Sequence, residues 1–246
     1  MSTSETRTEK CEKIYVSDEE CEICQFTYRF VNKLGSFDCG ADEQNRFIRE
    51  LAVGHYIVGL NNTFLLLCNG KVIGFASFSN SSLSTFKEIK EEIYNYIRDY
   101  VKTKLDELIG EDQKTKEELY DIITKSFDIS YSKLPFILLG QLGIHKDHQK
   151  RGVGKAFIEE FVIKYSIAYC IKNNCLGIML HTTRELYEKF YSKDFRVKFK
   201  EGNKVREVMY RFKEVPGQKK TSMVTLYCLL VADIIEGRLQ RFLEQL

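Results

Sequence analysis

The stretch Leu139-Gly-Gln-Leu-Gly-Ile-His-Lys-Asp-His-Gln-Lys-Arg-Gly-Val-Gly-Lys-Ala-Phe157 decides how the rest of the chain is read. Ile137 to Leu139, Leu142 and Ile144 form an apolar run of strand length, and a polar turn follows. Beyond Gly152-Val153-Gly154, the apolar residues Phe157, Ile158, Phe161, Val162 and Tyr165 recur at helical spacing. A strand, a glycine-bearing basic turn and a helix start make an anion site. Glycine lets backbone approach a phosphate without a Cβ in the way, and the first N–H groups of a helix have no intrahelical acceptor. Lys150, Arg151 and Lys155 add positive charge. A lone G-x-G is also compatible with an ordinary strand-to-helix turn.

The full pattern Gln149-x-x-Gly152-x-Gly154, between a strand and an amphipathic helix, resembles the coenzyme A pyrophosphate loop of the GNAT superfamily of N-acetyltransferases. The resemblance implies an α+β fold with a mixed central sheet splayed between its fourth and fifth strands and flanked by helices. It also implies acetyl-CoA as cosubstrate. Gln149, Lys150, Arg151, Gly152, Val153, Gly154 and Lys155 would hold the pyrophosphate. Backbone groups of Leu142 and Ile144 would bind the pantetheine arm and polarise the thioester carbonyl.

Working outward, Thr63–Cys68, Asn69-Gly70 and Lys71–Phe78 read as a hairpin, because Asn-Gly accepts the two positive φ angles of a type I′ turn. From residue 84 to 134 the pattern becomes helical: Ile89, Ile93, Tyr94, Ile97, Val101 and Leu105, then Leu119, Ile122, Ile123 and Phe127. This helical insertion has no counterpart in a minimal acetyltransferase and is expected to act as a structural flap, with gating or partner binding as alternatives. Leu176–His181 reads as the fifth strand. Thr182-Thr183-Arg184-Glu185 has the form of a capping box, with Thr182 answered by Glu185. Phe195–Phe212 reads as a basic hairpin turning at Gly202-Asn203, and Met223–Leu230 as a last strand. Val231 to Leu246 keeps helical spacing and either packs on its own domain or forms a homodimer contact.

Nearer the N-terminus, Phe26–Val31 alternates like a first strand, and Asp42 is placed to cap the helix carrying Phe47, Ile48 and Leu51. Residues 1–24 are polar and acidic and are expected to form a flexible tail. The division expected is tail 1–24, acetyltransferase domain 25–230 with the insertion 84–134, and C-terminal helix 231–246.

The first residues, MSTSETRTEK, lack a signal-peptide core, which points to a cytoplasmic protein, and its eight cysteines are then expected to be reduced thiols. Cys21-x-x-Cys24 flanked by Cys11 and Cys39 lacks a second pair at zinc spacing, so no metal is expected. No apolar run is long enough to span a membrane. Between His145 and Lys220 there are 18 Lys and Arg against 9 Asp and Glu, in a chain whose total is only +2. The excess suits a polyanionic partner, although charged faces are often merely solvated.

Three segments together resemble one branch of the superfamily, the acetyltransferase toxins of toxin-antitoxin pairs: Phe37-Asp38-Cys39-Gly40, Leu138-Leu139-Gly140-Gln141-Leu142 and Leu186-Tyr187-Glu188-Lys189-Phe190. That resemblance implies acetylation of the α-amino group of aminoacyl-tRNA, an antitoxin partner, and Tyr187 as the acid that protonates the departing coenzyme A thiolate. A phenol with pKa near 10 can donate to a thiolate near 8.5. The link from His181 is shorter than in the toxins and the usual Gly-Phe is replaced by Tyr191-Ser-Lys-Asp-Phe195, which makes Tyr191 a rival. Two other functions remain open: acetylation of a small amine or a protein N-terminus, and a binding or structural protein that no longer transfers acetyl groups.

Overall fold

The computed structural model describes residues 11–16, 19–84, 86–109, 112–125, 132–219 and 221–243. Residues 1–10 of the expected tail, the Gly110-Glu111 break, Phe127 and Leu246 lie outside them. Ten strands are described: β1 Glu12–Val16, β2 Glu19–Gln25, β3 Asn62–Cys68, β4 Lys71–Ser84, β5 Lys133–Ile144, β6 Gly177–Thr183, β7 Phe195–Glu201, β8 Lys204–Tyr210, β9 Lys213–Glu214 and β10 Met223–Leu229. Eight form one mixed sheet in the order β1-β2-β3-β4-β5-β6-β10-β9, while β7 and β8 pair separately. β5 and β6 are parallel neighbours, and β10 runs antiparallel to β6. The chain divides into two compact units, Met1–Ser79 with Leu139–Lys164 and Phe195–Met209, and Asn80–Leu138 with Tyr165–Asp194 and Tyr210–Leu246.

In the first unit the Asn-Gly hairpin forms as expected. Asn69 and Gly70 have φ of 51° and 73°, and β3 and β4 pair on either side, with a register shift at Leu66/Leu67. The strands expected to start at Phe26 start earlier. Tyr28–Lys33 is a short 3-10 turn, and β1 and β2 lie in the second half of the stretch read as a tail. Their polar sequence misled because an edge hairpin buries few positions; in β1 only Ile14 and Val16 are buried. The cysteine reading is corrected with them. Cys11 is joined to Cys24 and Cys21 to Cys68, and both pairs are disulfides. The C-x-x-C pair is thereby consumed, while Cys39, Cys170, Cys175 and Cys228 are free thiols.

Asp42–Arg46 (α1) leads through a wide π turn, Phe47–Leu51, into Ala52–Ile57 (α2). Ala41 rather than Asp42 occupies the N-cap, without a side-chain bond. Phe30, Leu34, Phe37, Phe47, Ile48, Leu65, Leu67 and Phe75 form the core of this unit. At about 1.5–3 kcal/mol for each fully buried side chain, that cluster holds the 26–52 segment on the sheet.

The second unit contains the insertion as two helices, α3 Lys87–Ile109 and α4 Gln113–Lys125. Ile89, Ile93, Ile97, Val101 and Leu105 of α3 are buried with Leu134, Phe136, Met179 and Tyr227. Tyr94 and Ile122, grouped with these stripes by spacing, are exposed. The terminal helix, α8 Val231–Leu243, packs on α3 through Val231, Ile235 and Leu239, and Tyr100 donates to Glu236 at 2.8 Å. Of its described apolar side chains, Val231, Ile234 and Leu239 are buried. Among the described residues no helix is long and apolar enough to cross a membrane.

Candidate functional site

In the first unit the end of β5 is pressed against β4. A Cβ on Gly143 would lie 2.5 Å from the Phe75 ring, and one on Gly74 would lie 2.8 Å from Ile144. The His145 N–H makes a last rung to the Ile73 carbonyl at 2.8 Å, and the chain then leaves the sheet through a 3-10 turn, Lys146–His148. Lys150 (φ 60°) and Gly152 (φ 82°) are both left-handed, a conformation uncommon for lysine. They swing the chain into α5, Val153–Phe157, which runs on through a π turn, Ile158–Val162, into α6, Ile163–Asn173. Phe157, Ile158, Phe161 and Val162 are buried, and Phe161 lies 5.1 Å from Phe64.

This geometry brings Gln149, Lys150, Arg151, Gly152, Val153, Gly154 and Lys155 into one loop and helix start, with Leu142 and Ile144 just before it. Gln149 to Gly152 are exposed, Val153 is buried, and Gly154 and Lys155 are half-buried. The N–H groups of the first helical turn and the two left-handed residues give a backbone arrangement suited to an anion. Gln149 does not point outward as a ligand would: its Nε2 donates to the Cys39 carbonyl at 2.7 Å and the Ile144 carbonyl at 2.8 Å. Lys155 lies 3.6 Å from Glu159, whose carboxylate accepts the Arg196 N–H at 2.6 Å. In β5 the Gln141 side-chain oxygen is buried without a hydrogen-bond partner among the described residues.

Around that loop runs a network that sequence reasoning missed. Asp38 accepts from the Gly40 N–H at 2.8 Å, the Asn45 amide at 2.9 Å and the Lys146 ammonium at 2.9 Å. The Gly40 N–H, with Lys146 and Asn45, holds the Asp38 carboxyl well below the usual carboxylate range. The Lys146 N–H donates to the Asp38 carbonyl at 2.8 Å, and Arg49 donates to the Phe37 carbonyl. The available signal was Asp38-x-Gly40, an Asx-turn spacing, but nothing in it names Lys146 as partner.

In the second unit the Thr183 hydroxyl caps the helix after β6, accepting from the Leu186 N–H at 3.2 Å, whereas Thr182 is buried in the strand. Glu185 pairs with Lys189 instead of closing a capping box. The helix is one turn, α7 Arg184–Leu186, followed by a π turn, Tyr187–Tyr191, closed by the Ser192 N–H on the Tyr187 carbonyl at 2.8 Å. Arg184 grips Glu214 with two bonds of 3.0 and 3.1 Å, which anchors the helix start. Tyr187 is half-exposed. Tyr191 is buried edge-on to Phe190 and Phe212, and burial pushes its phenol pKa up.

Neither a family model nor a curated protein matches the sequence. Solved structures do match the fold. AtaT complexed with acetyl-methionyl-tRNAfMet is 14% identical, with 90% of this chain and 99% of that one covered and a TM-score of 0.53. A tyrosine-to-phenylalanine mutant of KacT is 14% identical over 88% and 98% of the two chains, with a TM-score of 0.53. AtaTR bound with AcCoA is 15% identical over 87% and 95%, with a TM-score of 0.52. The chain therefore has the fold of these acetyltransferase toxins, the GNAT fold.

Proposed function

We infer that this protein moves an acetyl group from acetyl-CoA to a primary amine, and that the amine is the α-amino group of an aminoacyl-tRNA. The observation that carries the reaction is the loop at Gln149–Lys155. Left-handed backbone at Lys150 and Gly152, at the mouth of a long helix, supplies N–H groups and positive charge for a diphosphate. The end of β5 supports the same cosubstrate. Leu142 and Ile144 are half-buried residues at the end of β5, and the orphaned oxygen of Gln141 is an acceptor for an amide N–H such as the pantetheine arm carries.

In this reading the neutral amine attacks the acetyl carbonyl, the C–N bond forms, and the C–S bond breaks without a covalent enzyme intermediate. Tyr187 donates its phenolic proton to the departing thiolate, and water takes the proton lost by the amine. The half-exposed position of Tyr187 supports it over the buried Tyr191. For the acceptor, support comes from β7, where Arg196, Lys198 and Lys200 are exposed on one face while Phe195 and Val197 are buried on the other. Alternating cations of this kind suit a phosphate backbone. The AtaT complex, a protein of the same fold bound to an acetylated aminoacyl-tRNA, points the same way. An antitoxin partner follows from the same likeness, since another AtaT structure contains the C-terminus of the antitoxin AtaR.

The test is transfer of labelled acetyl from acetyl-CoA to a pool of aminoacylated tRNA, run beside polyamines and peptides. Label in the RNA fraction is the expected result. Label only in amines or peptides would keep the reaction and discard the RNA acceptor. Failure to bind acetyl-CoA by calorimetry would overturn the reading.

A further inference from the structure

The Phe37-Asp38-Cys39-Gly40 segment takes no part in the chemistry above, yet the loop that does is built against it. Beyond the rung from His145 to Ile73, the chain from Lys146 to Gln149 pairs with no strand among the described residues. Its outside support comes from residues 36–40. The His145 Nε2 lies 3.2 Å from the Ser36 carbonyl, the Lys146 N–H reaches the Asp38 carbonyl, the Lys146 ammonium reaches the Asp38 carboxylate, and Gln149 reaches the Cys39 carbonyl. The supporting segment is in turn fastened to α1, since Asn45 donates to Asp38 and accepts from the Cys39 N–H at 2.9 Å.

We propose that Asp38 is a positioning residue for acetyl-CoA: by holding Gly40, Asn45 and Lys146 together, it fixes residues 36–40 as a strut that presets the left-handed loop at Lys150–Gly152 for the pyrophosphate. The proposal rests on the reading of that loop as the acetyl-CoA site. A loop already ordered before its ligand arrives spares the cost of ordering on binding.

Electrostatics alone predicts the opposite effect. A carboxylate beside a diphosphate site repels the ligand, so deleting it should tighten binding. The strut requires that deletion weaken it, and the sign of the change separates the two.

The experiment uses the full chain with Asp38→Ala, which removes every side-chain bond, and Asp38→Asn, which keeps an acceptor for Gly40 and loses the ion pair. Calorimetric Kd for acetyl-CoA should rise on the order of tenfold in Asp38→Ala and less in Asp38→Asn. KM for acetyl-CoA should follow while kcat at saturation stays. A merely destabilised protein would instead lose active fraction and kcat. Amide hydrogen exchange without ligand should quicken across residues 144–156 in the variants. Unchanged exchange, or unchanged or tighter binding, overturns the strut. Quicker exchange in a protein whose wild type binds no acetyl-CoA overturns the cofactor reading and the proposed role with it, while the structural brace stands.

Discussion

Replacing Tyr187 by Phe removes one oxygen from a side chain that makes no hydrogen bond among the described residues. The ring keeps its place at the start of the π turn, so stability should change by no more than about 0.5 kcal/mol. If the phenol protonates the leaving thiolate, the loss falls on the transition state alone. General acids contribute about 10²- to 10⁴-fold, which is about 2.7–5.5 kcal/mol of barrier. Tyr191, four residues on and buried, is the matched control. Its ring centroid lies 4.9 Å from that of Phe190 and 5.6 Å from that of Phe212. Tyr191→Phe should keep kcat within about twofold, since it leaves the aromatic packing intact. The assay is initial-rate acetyl transfer at saturating acetyl-CoA for wild type and both variants, with a thermal melt of each to certify folding. Transfer that survives Tyr187→Phe but collapses in a folded Tyr191→Phe would refute the assignment and the exposure argument behind it.

Other expectations test the scaffold and the acceptor surface. Gly143→Ala sets a methyl 2.5 Å from the Phe75 ring, inside a cluster where Phe37 and Phe47 allow it little room. It should cost about 1–3 kcal/mol, lowering the melting midpoint by about 2–12 °C and weakening acetyl-CoA binding; a wild-type melt would contradict the packing. Reducing the disulfides should lower the urea midpoint, because their sequence separations of 13 and 47 correspond to about 3 and about 4 kcal/mol of unfolded-state constraint. An identical midpoint with a phosphine reductant would show that they add nothing. Substituting Arg196, Lys198 and Lys200 by Ala should flatten the salt dependence of tRNA binding by about 0.7–0.9 for each phosphate no longer neutralised, with acetyl-CoA affinity unchanged. An unaltered slope would take the RNA off this face.

The sequence by itself determined whatever depends on neighbours along the chain. Asn69-Gly70 specifies its turn, the Ile89 to Leu105 stripe specifies α3, and Gln149-x-x-Gly152-x-Gly154 marks the loop, because backbone angles and helical faces are set within a few residues. Its errors fall where distant residues decide. β1 and β2 read as a tail because an edge hairpin needs little apolar sequence. They join the sheet where β2 pairs with β3, which sets Cys21 beside Cys68, a partner 47 positions away, and no local pattern encodes that pairing. Thr182 and Thr183 are equivalent as letters, but the register of β6 buries the first and frees the second to cap. Gln149 was legible as part of a glycine-bearing loop between a strand and a helix, and only the fold reveals that its amide clamps two carbonyls. Asp38 and Lys146 likewise stand 108 residues apart, so their pairing waits until the core around Phe37 and Phe75 has brought the two segments together.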